Sequence, residues 1–179
     1  EKLEKGDFLV LAGSVSRKMN EDIYEKICTR IEKNQIKIVA DATGKLLINL
    51  LKHKPFLIKP NKEELEEIFE KKINTNEEIV TYAKKLQEMG AENVLISLGG
   101  DGAIMATKDN KVLYLKAPKG KVVNSVGAGD SMVAGFLAGL FKYDDYEKAF
   151  KMGIAAGSAS TFSENLATKD EILYQFSRL

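Results

Sequence analysis

The chain has 179 residues, 27 Lys+Arg against 26 Asp+Glu, and 44% hydrophobic residues. Such a length suits one α/β domain spanning 1–179 with a core that closes without covalent staples. One cysteine, Cys28, and one histidine, His53, exclude an intrachain disulfide and a two-histidine metal centre, the charge balance argues against general nucleic-acid binding, and no apolar run reaches the ~18 residues of a membrane helix, so a cytoplasmic protein is expected.

Phe8 to Ala12 reads as a buried strand ended by Gly13. Asn20 is placed to cap a helix carrying Ile23, Ile27 and Ile31 at helical spacing. Ile36 to Ala40 is a second strand, Thr43 to Leu51 a second helix, and Phe56 to Ile58 a third strand stopped by Pro60. Helices follow from Lys62 to Phe69 and from Asn76 to Met89, then a strand from Val94 to Leu98. Past Gly99-Gly100-Asp101-Gly102, the runs Ala103 to Thr107 and Val112 to Leu115 form a hairpin turning at Asp109-Asn110. Two helices rich in small residues, about Ala128 to Phe141 and Tyr146 to Phe162, precede a last helix capped by Thr168. This alternation predicts an α/β fold with a mostly parallel sheet and helices on both faces.

The stretch richest in chemistry is Asn124-Ser125-Val126-Gly127-Ala128-Gly129-Asp130-Ser131-Met132. Small residues at a helix start let backbone N–H groups converge on an anion, which the positive end of the helix dipole favours. Asp130 falls in the first turn, where it serves either to complement that dipole or to act as a base for an acceptor hydroxyl beside a transferring phosphate. A Walker loop lacks its Gly-Lys-Ser/Thr ending here, and a dinucleotide fingerprint would need a third glycine where Met132 stands.

The run Asn124 to Phe136 resembles the C-terminal signature of the ribokinase-like family that includes phosphofructokinase-B, implying a three-layer α/β/α fold. The resemblance implies that the amides of Gly127, Ala128 and Gly129 form an anion hole and that Asp130 takes the proton of the attacking hydroxyl. Asn61 and Glu64 cap the helix that follows Pro60, and they also resemble the family's Asn-x-x-Glu motif, which implies a Mg²⁺ site held through water. Ser97, Gly99 and Gly102 match a strand end that lies against the nucleotide, with Asn165 a neighbour of the adenine. Ser14, after Gly13, resembles a serine near the sugar phosphate, and Arg17 and Lys18 stand ready for an anion. Asp41-Ala42-Thr43-Gly44 reads as a strand-to-helix turn capped by Thr43, while Cys28 and His53 are structural or solvated.

By this resemblance the chain is the C-terminal, nucleotide-binding portion of a sugar kinase, the β lid and glycine-rich sugar motif lying upstream of Glu1 and the isolated portion expected to be inactive. It implies use of ATP and Mg²⁺ and phosphorylation of a phosphosugar, fructose 1-phosphate to fructose 1,6-bisphosphate, with tagatose 6-phosphate as the alternative acceptor and homodimer formation in the full-length protein. From other classes, a non-catalytic nucleotide-binding module predicts no lid upstream. A dinucleotide-binding redox domain predicts a glycine-rich turn after the first strand, which Gly13-Ser14-Val15-Ser16 does not supply.

Overall fold

The computed structural model describes residues 3–13, 22–32 and 35–179. Strands β1 (Phe8–Ala12), β2 (Lys37–Asp41), β3 (Leu57–Ile58), β4 (Asn93–Ser97), β5 (Ala103–Ala106) and β6 (Val112–Leu115) form one sheet in that order. Helices α1 (Ile23–Ile31), α2 (Gly44–Leu51), α3 (Lys62–Phe69) and α4 (Asn76–Glu88) connect the first four strands, which run parallel, with Leu11 beside Ala40 and Ala40 beside Ile58. Helices α5 (Ala128–Tyr143), α6 (Tyr146–Phe162) and α7 (Lys169–Arg178) follow the hairpin. The α/β class and the mostly parallel sheet are those expected from the hydrophobic rhythm.

The chain divides into two compact units, Glu1–Ile96 with Met105–Val112, and Ser97–Ile104 with Leu113–Leu179. In the first, Val39, Ala40, Leu57, Ile58, Val94, Leu95 and Ile96 are wholly buried, the continuous apolar pattern of parallel strands covered on both faces. The first strand departs from expectation. Only Leu11 is buried, and Val10 is 42% exposed. Asn93 is buried and satisfied at both ends of its amide: Nδ2 donates to the Phe56 carbonyl at 2.7 Å and Oδ1 accepts from the Lys108 N–H at 3.0 Å.

Helix starts obey local chemistry. Asn61 with Glu64, Thr75 with Glu78 and Thr168 with Glu171 each close a reciprocal capping box on α3, α4 and α7. Thr43 occupies the cap position of α2 but makes no capping bond through its side chain. The expected cap at Asn20 lies outside the described residues.

In the second unit the glycines of α5 and α6 are a packing device. A Cβ on Gly135 would stand 2.6 Å from the Ala156 Cβ, one on Gly153 2.9 Å from the Met132 carbonyl, and one on Gly157 3.1 Å from the Ala128 carbonyl. These contacts let α6 approach the first turns of α5 at backbone distance, which is the close packing that their small residues predict.

Candidate active site

Gly127 sits immediately before α5 with φ +79° and ψ 0°, a left-handed conformation that costs an ordinary residue energy and glycine nothing. It turns the chain from the connector 116–127 into the helix. The Ala128 N–H donates to the Ser125 carbonyl at 3.2 Å, and the Ser131 N–H to the Gly127 carbonyl at 2.8 Å. Of the three amides expected to face an anion, that of Ala128 is thus engaged in closing the turn. Gly129 and Asp130 fall in the first helical turn, where N–H groups have no intrahelical acceptor and the dipole is positive. Asp130 itself is exposed.

Beside this turn lies a cleft of about 690 Å³, a volume suited to a cofactor-sized ligand. Ala128, Gly129 and Met132 contribute one wall. Ser97, Gly99 and Gly102, all expected near a nucleotide, contribute a second, joined by Gly100 on the 3₁₀ turn Gly99–Asp101. Gly102 is obligatory there: its φ is +100° and a Cβ would stand 2.1 Å from the Leu115 carbonyl. The third wall is α6, through Ile154, Gly157, Ser158 and Thr161, with Phe162 at its end.

Sequence reading missed the remaining wall, which is the connector itself. Ala117, Pro118, Lys119, Gly120 and Val122 line the cleft, and a Cβ on Gly120 would stand 2.5 Å from the Phe162 ring, so the ring lies directly on the Gly120 backbone. The signal was present, since a long connector with no regular structure and both Pro and Gly is more often functional than ornamental. Asn165 is exposed and is not among the cleft residues. Its loop folds onto the glycine turn instead, with a Leu166 methyl group 2.7 Å from where a Gly127 Cβ would stand.

Polar bonds fix that loop against the turn. The buried Ser160 hydroxyl donates to Ser131 Oγ at 2.9 Å and accepts from the Ala167 N–H at 3.1 Å. Asn124 Nδ2 donates to the Glu164 carbonyl at 3.2 Å, and Oδ1 accepts from the Val126 N–H at 3.0 Å. The N–H groups of Val123 and Asn124 both donate to the Thr161 carbonyl.

The candidate metal-site residues belong to the first unit. Asn61 Oδ1 accepts from the Glu64 N–H and Glu64 Oε2 from the Asn61 N–H, each at 2.8 Å. Burial pushes the Glu64 carboxyl above its ordinary range, against the Asn61 N–H and the Lys59 charge, which pull it down. Lys59, nearly buried, pairs with Asp41 at 3.1 Å. That pair was missed by sequence reading, and Asp41 does more than shape a turn. Cys28 is buried, with its thiol pushed up to about 11 by burial and then by the Glu25 charge, so it stays protonated at neutral pH, as a structural residue should. Ser14, Arg17 and Lys18 lie outside the described residues. Among the described residues, no three His, Cys, Asp or Glu side chains gather into a metal-binding group, and no helix is long and apolar enough to cross a membrane.

Residues 1–172 match the pfkB family carbohydrate kinase pattern. The chain is 48% identical over 170 residues to 1-phosphofructokinase from Bacillus subtilis, covering 95% of this chain and 56% of that protein. It is 38% identical over 162 residues to D-tagatose-1-phosphate kinase from Bacillus licheniformis, covering 90% of this chain and 53% of that protein. Among solved structures, phosphofructokinase-2 from Escherichia coli in complex with substrates and products superposes with a TM-score of 0.89 at 28% identity, over 98% of this chain and 58% of that one. The chain therefore spans little more than half the length of the relatives it matches.

Proposed function

The chain belongs to the pfkB family of carbohydrate kinases, and on that premise we propose that it supplies the nucleotide cleft and the base of a phosphosugar kinase. The reaction is transfer of the γ-phosphoryl group of ATP to a hydroxyl of fructose 1-phosphate, giving fructose 1,6-bisphosphate and ADP. The observation that carries this reading is an exposed carboxylate, Asp130, in the first turn of α5, next to backbone that lines a cleft of nucleotide size.

In this reading the cleft, lined by many small residues, takes the base and ribose, and the phosphates extend toward Gly129. The first-turn N–H groups are fixed donors aimed where charge accumulates on the transferred group, so they need no reorganisation as it moves. Phosphoryl transfer passes through a loose transition state, in which the acceptor hydroxyl keeps its proton until late. A carboxylate then suffices as proton acceptor, provided it is placed within reach of the oxygen. Its exposure leaves it open to a sugar arriving from solvent.

Magnesium, when bound, neutralises the nucleotide phosphates. Within the first unit, Asn61 and Glu64 have oxygen donors suited to a hydrated magnesium ion, because the capping bond uses Glu64 Oε2 and a carboxylate has a second oxygen to offer. The similarity to the Bacillus subtilis enzyme supports fructose 1-phosphate as acceptor. The similarity to a tagatose-phosphate kinase supports a second reading, in which a tagatose phosphate is the acceptor.

The test is a side-by-side assay of the full-length protein with ATP, Mg²⁺ and each of fructose 1-phosphate, tagatose 6-phosphate and tagatose 1-phosphate. The expected result is a kcat/KM for fructose 1-phosphate at least about tenfold above the others, or ~1.4 kcal/mol of transition-state preference. A preference for a tagatose phosphate overturns the substrate. Nucleotide binding with no phosphorylation of any of the three overturns the kinase reading in favour of a non-catalytic module.

A further inference from the structure

We propose that Asn124 is a positioning residue for the glycine turn and Asp130, an assignment that rests on the kinase reading above. Asn124 stands six residues before the carboxylate and belongs to no helix or strand. Its amide is one rigid plane with a donor at one edge and an acceptor at the other, and both edges are used. Oδ1 accepts the Val126 N–H inside the turn, and Nδ2 donates to the Glu164 carbonyl forty residues away in sequence.

The far anchor is itself fixed. Ser163 Oγ bonds the Ala159 carbonyl at 3.0 Å and Glu171 Oε1 at 3.1 Å, and the Ala167 N–H reaches the buried Ser160 hydroxyl. The segment 163–167 is thus pinned on both sides of the carbonyl that Asn124 grips. Ser160 in turn bonds Ser131, the residue after Asp130. Two side-chain links, one from each side of Asp130, therefore refer the turn to the same end of α6, and the Asn124 amide is the one on the connector side. The Val123 and Asn124 N–H groups tie the connector to the Thr161 carbonyl, and the amide extends that tie to residue 126, so removing it loosens the residues that set the direction of the Gly129 and Asp130 N–H groups. No other side chain of this length offers a donor and an acceptor in one fixed plane: aspartate lacks the donor, and glutamine is a methylene too long.

The experiment uses Asn124→Ala and Asn124→Asp in the full-length protein, with steady-state kinetics, thermal unfolding and amide hydrogen exchange measured on each. For Asn124→Ala the expected result is a kcat lower by about 10–100-fold, since misplacement of a reacting group by about 1 Å costs up to about 10²-fold. The phosphosugar KM stays within about threefold, and exchange quickens in residues 122–131 but not in β4. Asn124→Asp keeps the acceptor for the Val126 N–H and recovers a substantial part of the lost kcat. A kcat within about threefold of the parent in Asn124→Ala overturns the proposal. So does a loss matched by faster exchange throughout α6 and β4, which marks a general structural role. If the parent protein phosphorylates no sugar phosphate, the kinase reading fails and exchange alone decides: unchanged protection of residues 122–131 in Asn124→Ala then overturns the clamp.

Discussion

Replacing Gly127 with alanine separates backbone strain from crowding at the head of α5. The native φ of +79° with ψ 0° is left-handed, and holding an L-residue there costs about 1–2 kcal/mol. The new Cβ would also stand 2.7 Å from the Leu166 Cδ2. That methyl group ends a flexible side chain that is 66% exposed, and it can rotate away at little cost. Gly127→Ala should therefore lose about 1–2 kcal/mol, nearly all of it from the backbone. Gly127→Asn should lose less, because asparagine tolerates the left-handed region. Chemical denaturation of the full-length protein measures both, and adding Leu166→Ala completes a double-mutant cycle in which the coupling is expected to stay below about 0.5 kcal/mol. The reasoning is refuted if Gly127→Ala is as stable as its parent, or if Leu166→Ala restores what Gly127→Ala loses.

Asp41→Asn strips the anionic partner from Lys59, whose side chain is 7% exposed, and should cost about 3 kcal/mol, the lower end for a broken buried pair because Asp41 itself is 19% exposed. Adding Lys59→Met should recover most of that loss in thermal unfolding, and failure to recover any means that the charge was not the cause. Glu171 accepts from the Thr168 N–H and hydroxyl and from the Ser163 hydroxyl, which hold its carboxyl below the ordinary 4.5. A depressed native pKa gives stability that is present above 4.5 and lost as the pH falls through the native value. The Tm deficit of Glu171→Gln should accordingly be full at neutral pH and shrink in acid, and a deficit independent of pH contradicts the linkage.

What was legible in the sequence was local. Hydrophobic period and punctuation placed every strand and helix within a residue or two, except where they ran on into a cap or turn. Spacing alone put Asp130 in the first turn of a helix that begins with small residues. Thr168 declared itself as a cap because its partner is three residues away. The parts that stayed hidden depend on residues distant in sequence. Lys59 meets Asp41 because β2 and β3 are parallel neighbours, and a run of apolar residues reveals neither strand order nor register. Asn124 looked like one more member of a motif, since its partner Glu164 comes into reach only when α5 and α6 pack. Asn165 failed to reach the cleft for the converse reason: its loop turns toward Gly127, and the Phe162 ring resting on Gly120 lines the cleft there instead.

The most direct test of the account is Asp130→Asn in the full-length protein, an almost isosteric change at an exposed position. Turnover with fructose 1-phosphate is predicted to fall by about 10²–10⁴-fold, the contribution of a positioned general base, while nucleotide affinity and Tm stay near those of the parent. Turnover within a fewfold of the parent at unchanged nucleotide affinity contradicts the account, because a carboxylate that can be neutralised without loss is not the proton acceptor.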